Sequence, residues 1–236
     1  MATWAVSDLH GNYELFLAIL DKINPEDTVY FLGDACDRGH DGYDLMKSIW
    51  EQPNWVYLAG NHEIMFVEAT TDYLNKDHWD YESYNFAVRN GGYETLYCWE
   101  LDSEVERKIW RNRIARLPWG TEYINTNGQR IFLCHAGFTP IMNRRSKTIT
   151  MDVDNEYRML WDRNHMYNHK WPANMDNIYV VHGHTPIQSY GQGYTVENGP
   201  LFYQKRHKID IDCATYNTDA AFVFNLDTFE YITVRV

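Results

Sequence analysis

The chain has 236 residues, 44% of them hydrophobic, which is enough to bury one sizeable core in a single domain. Its formal net charge of −12 disfavours non-specific binding to nucleic acid, which needs a basic surface. A mean hydropathy of −0.55 and the lack of a long apolar run argue against a membrane span. Residues 1–6 lack the basic start of a secretion signal, so we expect a cytoplasmic protein whose four cysteines are free thiols.

The first part of the chain alternates short apolar runs with amphipathic stretches. The runs Thr3–Ser7, Thr28–Gly33 and Trp55–Gly60 predict strands, because each ends in a polar or glycine-rich turn. Between them, Tyr13–Ile23 and Tyr43–Glu51 carry apolar residues at helical spacing. This order of strand and helix predicts a βαβ-rich sheet flanked by helices.

Residues from about 64 to 117 follow a different pattern. They are mostly helical in periodicity, polar and rich in Tyr and Trp, with a break at residues 90–92. We expect a helical insertion beside the loops that follow the predicted strands. Its aromatic and acidic residues, among them Trp79, Asp77 and Asp80, would either complete the core or form one wall of a cleft.

Strands return in the rest of the chain. The predicted ones are Arg130–His135, Asn177–His182, Lys208–Asp212, Ala221–Asn225 and Glu230–Val236, the last three closely spaced and joined by turn-type connections. They predict a second sheet with antiparallel pairs. The whole chain, residues 1–236, is therefore expected to form a single α/β domain, a βαβ-rich β-sandwich flanked by helices and carrying a helical insertion.

Five polar clusters follow the ends of predicted strands. They are Ser7–Gly11, Gly33–Gly39, Gly60–Glu63, Cys134–Gly137 and Val181–Pro186. Ligands bind at the carboxyl ends of strands in open α/β sheets, so these loops should converge. Their convergence would gather six potential metal ligands: Asp8, His10, Asp34, Asn61, His135 and His184. Imidazole, carboxylate and amide oxygen together suit Mn, Fe or Zn better than Ca or Mg.

Each cluster alone has an ordinary explanation, such as a turn that starts a helix, and a lone histidine such as His135 is more often structural than ligating. Their joint occurrence at five strand ends favours a metal site. His182, two residues before His184, is an extra histidine that strand alternation would place on the same side.

The five clusters resemble the signature loops of the calcineurin-like metallophosphoesterases, in the phosphoprotein-phosphatase branch. That branch reads Gly-Asp-x-His-Gly, Gly-Asp-x-x-Asp-Arg-Gly, Gly-Asn-His-Glu, His-Ala/Gly and Gly-His-Thr-Pro. The chain departs at one position, with Ser7 in place of the first glycine. The resemblance spans Asp8 to Pro186 and is strongest to bacterial and phage lambda-type serine/threonine protein phosphatases. It is loose in the aromatic middle and beyond Pro186.

The resemblance implies the calcineurin-like fold and two divalent metal ions, with manganese expected and iron, zinc or nickel as alternatives. Asp8 and His10 resemble ligands of the first metal, and Asp34 resembles the bridge. Asn61, His135 and His184 resemble the ligands of the second metal, and Asn61 is also expected to bind the substrate phosphate.

Four further residues resemble the family's catalytic and phosphate-binding groups. Arg38 resembles its phosphate-binding arginine, and Arg163, within Leu160–Arg163, resembles the second one; arginine's planar fork suits phosphoryl oxygens. His62 is the candidate general acid. It is kept protonated by Asp37, because a carboxylate neighbour raises the pKa of an imidazole.

The reaction implied is two-metal hydrolysis of a phosphate monoester. Two cations roughly 3.5–4 Å apart would share Asp34 and a water, and would lower the pKa of that water enough to supply a bridging hydroxide near neutral pH. The hydroxide attacks phosphorus in line with the leaving oxygen. The expected partners are proteins carrying phosphoserine or phosphothreonine, with phosphotyrosine and small phosphoesters as further substrates.

Two other interpretations remain open at this point. Symmetrical dinucleoside-tetraphosphate hydrolases and some phosphodiesterases share most of these loops, and the aromatic segment could stack a base as well as line a peptide groove. A non-catalytic scaffold would be expected to lose its general acid or its ligands, whereas His62, Asp37 and every expected ligand are present.

Overall fold

The computed structural model describes residues 1–71, 81–137, 141–142, 149–150, 156–163, 166, 176–191, 193–203 and 207–236. Trp79, Asp77 and Asp80 of the predicted insertion lie outside these residues. The prediction of a single domain over residues 1–236 therefore stays a prediction.

Short strands and helices alternate along the described chain. The strands are β1 (Thr3–Val6), β2 (Thr28–Phe31), β3 (Trp55–Tyr57), β4 (Gly120–Ile124), β5 (Arg130–Cys134), β6 (Ile141–Met142), β7 (Ile149–Thr150), β8 (Ile178–His182), β9 (Leu201–Tyr203), β10 (Lys208–Asp210), β11 (Ala220–Asn225) and β12 (Tyr231–Arg235). The α-helices are α1 (Tyr13–Leu20), α2 (Gly42–Glu51), α3 (Asn61–Thr71), α4 (Tyr81–Tyr84), α5 (Tyr93–Leu101), α6 (Glu104–Ile114), α7 (Glu156–Trp161) and α8 (Thr215–Thr218). A π-helical turn spans Asn85–Arg89, and 3₁₀ turns span Ile187–Tyr190 and Val196–Asn198.

Within the described residues, ten of these strands form two five-stranded mixed sheets. The first has the order β12-β11-β1-β2-β3, with β1, β2 and β3 parallel and β11 and β12 antiparallel. The second has the order β4-β5-β8-β10-β9, with a parallel centre and antiparallel edges. Helices α1 and α2 are the crossovers between the parallel strands of the first sheet, as parallel pairing requires.

The main cores lie on the two faces of the first sheet. One core is shared by both sheets, where Ala5 and Phe222 of the first meet Leu133 and Val181 of the second. Successive strand residues point to opposite faces, so Val6, next to Ala5, belongs instead to the core beneath the helices. The predicted α/β architecture, a βαβ-rich sandwich flanked by helices, is confirmed.

Four of the five strands that precede the polar clusters end earlier than predicted, and β8 ends at His182 as predicted. The run Thr3–Ser7 is a strand only to Val6, and Thr28–Gly33 only to Phe31. Beyond these points the backbone turns into left-handed conformations, with φ of 54° at Asp8 and 91° at Gly33. The loops then bond to each other rather than continuing the sheet, because Asp8 N donates to Gly33 O at 3.0 Å.

The described part of residues 64–117 is helical, as predicted. Its larger aromatic residues divide between core and surface. Phe66 packs against Phe86 and Trp99, all three fully or almost fully buried. Tyr81 and Tyr93, in contrast, are 65% and 53% exposed. The segment thus extends the core beneath the helices and also presents rings to solvent.

No helix in the described part of the chain has the length and apolar character needed to cross a bilayer.

Gly33 controls how closely the loops after β2 and β3 approach. A Cβ at Gly33 would lie 2.2 Å from Gly60 N, whereas a Cβ at Gly128, also at positive φ, would meet nothing within 4 Å. Gly128→Ala should lose about 1–2 kcal/mol of unfolding free energy from its left-handed backbone. Gly33→Ala should lose a further ~1–3 kcal/mol from overpacking. Urea unfolding of the two variants measures the difference, and equal losses would contradict the steric argument.

Candidate metal centre

The loops after β1, β2, β3, β5 and β8 converge at one edge of the two sheets. Backbone hydrogen bonds join these loops in pairs. His10 N donates to Asp34 O at 3.0 Å, and Gly183 N donates to His135 O at 2.7 Å. The convergence predicted from the strand ends therefore holds in the described structure.

Two groups of potential metal ligands share one carboxylate. His10, Asp34 and His62 form one group, and Asp34, His135 and His184 form the other. Within each group the ligand atoms lie within 4.8 Å of one another, and all these residues are buried. A carboxylate common to two donor groups is the arrangement expected for a bridged pair of cations.

Backbone carbonyls set the tautomers of two histidines. His10 Nδ1 lies 3.1 Å from Cys36 O, and His135 Nδ1 lies 2.9 Å from Leu32 O. A carbonyl oxygen can only accept, so each Nδ1 must carry a proton and donate it. The Nε2 atoms of His10 and His135 then face Asp34 Oδ2, at 3.7 and 3.3 Å. Such carbonyl partners are the usual means of orienting metal-binding imidazoles.

Asp8 and Asn61 adjoin these groups without belonging to them. The Asp8 carboxylate accepts the backbone N–H of His184 at 3.1 and 3.2 Å. Asn61 Oδ1 lies 2.9 Å from His135 Nε2. All six predicted ligands are therefore close together, although Asp8 and Asn61 contact the two groups through His184 and His135.

The electrostatics of this cluster favour a bound cation. Burial raises the pKa of Asp8 to about 6, with His135 opposing and the Asp34 carboxylate adding to the rise. Burial would lower the pKa of His135, but the Asp34 and Asp8 carboxylates raise it to about 9. His184 Nε2 is buried and has no hydrogen-bond partner among the described residues. Two neighbouring carboxylates and several imidazole nitrogens, one of them without a hydrogen-bond partner, are groups that bind divalent cations.

His62 and Asp37 form the expected pair. His62 Nδ1 donates to Asp37 Oδ2 at 2.7 Å, and both side chains are buried. Burial raises the pKa of Asp37 to about 6, while the hydrogen bond from His62 opposes the shift. The Asp37 backbone is fixed from the helical segment, because its N–H donates to Thr95 Oγ1 at 3.2 Å.

The two arginines lie on different sides of the site. The Arg38 Nη1 and Nη2 atoms lie 2.9 Å from His10 Nε2 and 3.2 Å from His62 Nε2. Arg163 is exposed, and its Nη1 donates to His184 O at 3.3 Å. Both guanidinium groups are therefore placed beside the histidines of the donor groups.

His182 does not join this arrangement. Strand β8 ends at His182, and His184 has a φ of 71°, so strand alternation does not continue between them. Instead, His182 Nε2 lies 3.3 Å from Met166 Sδ, and its Nδ1 lies 3.9 Å from Asp210 Oδ2. Burial lowers the pKa of His182 to about 4.

Glu63 is the important residue to which the sequence analysis assigned no role. Its side chain is fully buried, and its carboxylate accepts four hydrogen bonds of 2.7–2.9 Å. The donors are Asp34 N, Ala35 N, Gly60 N and Tyr57 Oη. The available signal was its place at the end of the Gly-Asn-His-Glu cluster.

The site concentrates unusual backbone geometry. Six of the nine described non-glycine residues with positive φ belong to it: Asp8, His10, Asp34, Asp37, Arg38 and His184. Asp and His tolerate the left-handed region better than most residues do. Such conformations cost of order 1–3 kcal/mol each and collect at functional sites, where the surrounding structure enforces them.

The sequence model of one protein family covers most of the chain. It describes the calcineurin-like phosphoesterases and matches residues 1–215. The chain belongs to this family. Calcineurin-like phosphoesterases are hydrolases that use a divalent metal pair, and the two groups sharing Asp34 suit such a pair.

Named relatives of this calcineurin-like phosphoesterase differ in substrate. The chain is similar to serine/threonine-protein phosphatase 2 of Salmonella typhimurium, with 26% identity over 183 residues, 76% of this chain and 74% of that protein. It is also similar to the symmetrical bis(5'-nucleosyl)-tetraphosphatase of Nitrosomonas europaea, with 31% identity over 84 residues, 34% of this chain and 31% of that protein.

One solved structure supports the fold. A protein serine/threonine phosphatase from Saccharomyces cerevisiae aligns with a TM-score of 0.59 at 16% identity, covering 100% of this chain and 80% of that one. At this identity the likeness concerns the fold alone.

The shared position of Asp34 predicts unequal effects on metal binding. The unaltered protein should bind about two Mn²⁺ per chain, as a bridged pair requires. Asp34→Asn should weaken both sites, because Asp34 belongs to both donor groups, whereas His184→Ala should weaken one. Equilibrium dialysis with elemental analysis measures the stoichiometry. Asp44→Asn, which removes an exposed carboxylate on α2, is the control. Two tightly bound ions in Asp34→Asn would contradict the bridge.

Proposed function

We propose that this calcineurin-like phosphoesterase is a manganese-dependent phosphoprotein phosphatase that hydrolyses phosphoserine and phosphothreonine, with phosphotyrosine as a further substrate. The observation that carries the proposal is the contact of Arg38 with both His10 and His62, at 2.9 and 3.2 Å. This contact places Arg38, the candidate metal ligand His10 and the candidate acid His62 close enough to act on one phosphoryl group.

In this proposal Asp8, His10, Asp34, Asn61, His135 and His184 hold the two cations. When bound, these ions lower the pKa of water to supply a nucleophile near neutral pH and offset the charge of the phosphoryl oxygens. Arg38 and Arg163 orient those oxygens through their N–H groups, and Asn61 would serve the substrate phosphate as well as a cation.

His62 would protonate the leaving oxygen. Its Nδ1 is committed to Asp37, at 2.7 Å, which leaves Nε2 directed towards Arg38 and the donor groups. Asp37 holds the ring in this orientation. Neither residue needs to bind metal in this role.

The charges beside Arg38 favour a peptide over a polyphosphate. A cavity of about 450 Å³ adjoins Arg38 and is lined by the carboxylates of Glu14, Asp41 and Asp219. A dinucleoside tetraphosphate carries several negative charges, which these carboxylates would repel. A phosphoserine peptide brings one phosphate to the site, and basic neighbours in the peptide would be attracted.

The relatives support the same choice. The similarity to the phosphatase from Salmonella typhimurium extends over 76% of this chain, whereas that to the tetraphosphatase from Nitrosomonas europaea covers 34%. The tetraphosphatase match has the higher identity over its shorter length, so hydrolysis of dinucleoside tetraphosphates is the second candidate.

A substrate panel distinguishes these activities. With Mn²⁺ present, kcat/KM should be higher for a phosphoserine peptide with flanking arginines than for its acidic counterpart or for diadenosine tetraphosphate. A difference of about tenfold or more corresponds to ~1.4 kcal/mol of transition-state discrimination. Bis-p-nitrophenyl phosphate tests for phosphodiesterase activity. Faster cleavage of the tetraphosphate or the diester than of every peptide would refute the proposed substrate class.

The acid role of His62 predicts a dependence on the leaving group. His62→Asn should retain both Mn²⁺ ions and lose roughly 10²–10⁴-fold in turnover of a phosphoserine peptide, the usual value of general acid–base catalysis. The loss should shrink for p-nitrophenyl phosphate, whose leaving group hardly needs a proton. Steady-state kinetics on both esters, with metal content measured in parallel, tests this. Equal losses on the two substrates would remove His62 from the acid role.

A further inference from the structure

Tyr216 lies over the guanidinium of Arg38. The Arg38 Cζ atom is 4.5 Å from the centre of the tyrosine ring, and Tyr216 is 45% exposed. The same ring meets His10 edge-on, with centroids 5.8 Å apart and planes at 86°. No sequence cluster included Tyr216, which follows β10 and lies 178 residues beyond Arg38 in the chain.

The short helix α8 is held firmly enough to position this ring. Its first residue, Thr215, is fully buried, and Thr215 Oγ1 donates to Ala220 O at 2.9 Å. Left-handed residues flank the helix, with φ of 58° at Ala214 and 48° at Asp219. Asn12 Nδ2 donates to Asp219 Oδ1 at 3.3 Å, which ties the end of the helix to the loop that carries His10.

A ring contact leaves the donors of an arginine available. All five N–H groups of a guanidinium point outward in its plane, whereas an aromatic ring interacts with its face. A carboxylate partner would occupy the in-plane donors that a phosphate needs. Among the described residues, Arg38 forms no ion pair with a carboxylate, and its Cζ atom lies over the Tyr216 ring.

The in-plane contacts of Arg38 are with groups that have other roles in the proposed reaction. His10 Nε2 has a lone pair that a cation would take, and His62 Nε2 would carry the proton for the leaving oxygen. Neither atom can accept from Arg38 while it serves in that way. The face contact with Tyr216 is compatible with metal, acid and phosphate together.

We propose that Tyr216 is a positioning residue that fixes the plane of Arg38, so that its N–H groups face the substrate phosphate. The inference rests on the phosphate-binding role of Arg38 in the proposed function. It applies to any phosphoester that reaches the site, so it does not depend on the choice between peptide and dinucleotide.

The test measures binding of inorganic phosphate to the Mn²⁺-loaded protein by isothermal titration calorimetry. Tyr216→Leu should weaken phosphate binding about 3–30-fold, the range expected for a cation–π contact. KM for p-nitrophenyl phosphate should rise in parallel with little change in kcat, because the contact acts on bound substrate and transition state alike. Tyr216→Phe, which keeps the ring, should restore both values. Metal content should stay at the parent level throughout.

Two further variants make the test specific. Tyr97→Leu, which removes a 49% exposed tyrosine on α5, should bind phosphate like the parent. In an Arg38→Ala background, Tyr216→Leu should add nothing, since the tyrosine acts through the arginine.

Unchanged phosphate affinity in Tyr216→Leu, or an equal additional loss in the Arg38→Ala background, would overturn the role of Tyr216 alone. Failure of Arg38→Ala to weaken phosphate binding would overturn the phosphate role of Arg38 and this inference with it. The substrate panel would be unaffected by either result, so the proposed substrate class stands or fails separately.

Discussion

The site depends on one buried carboxylate, that of Glu63. It accepts backbone hydrogen bonds from Asp34, Ala35 and Gly60, so it joins the loop after β2 to the loop after β3. The backbone of Asp34 is held in a left-handed conformation, with a φ of 59°. Since Asp34 is the one potential ligand common to both donor groups, Glu63 fixes the backbone of the residue around which both groups are arranged.

The second constraint on the site is that the charges of its buried carboxylates must be compensated. A buried carboxylate is costly unless hydrogen bonds or opposite charges accompany it. Glu63 is satisfied by N–H and O–H donors, and Asp37 Oδ2 accepts from His62, although Asp37 Oδ1 has no hydrogen-bond partner among the described residues. Asp34 is different. Burial would raise its pKa, yet the imidazoles of His135 and His62 hold that pKa well below its ordinary range. The chain therefore keeps a negative charge at the one position where two cations would share it.

Sequence patterns predicted the parts of the structure that are local. Each polar cluster follows a short apolar run, and the rule that ligands gather at strand ends brought the loops together correctly. The edge strands β4 and β9 were not predicted, because β4 contains no buried residue and β9 has only three residues. Tyr216 could not be predicted either, since its contact with Arg38 is created by the order of strands in the first sheet and not by any local pattern.

The same reasoning bears on why relatives named for different substrates resemble this chain. In the proposed function, the loops supply the candidate metal ligands and the phosphate contacts, which any phosphoester would use. Selectivity must then come from residues that surround those loops without belonging to the ligand set. In this chain these include Glu14, Asp41 and Asp219 beside Arg38, and the exposed rings of the helical segment. In the proposed function, the negative charge of the three carboxylates would oppose the approach of a polyphosphate at long range and would favour a monoester on a basic peptide. Substrate choice would then depend on the residues around the loops, and the candidate metal centre would need no change.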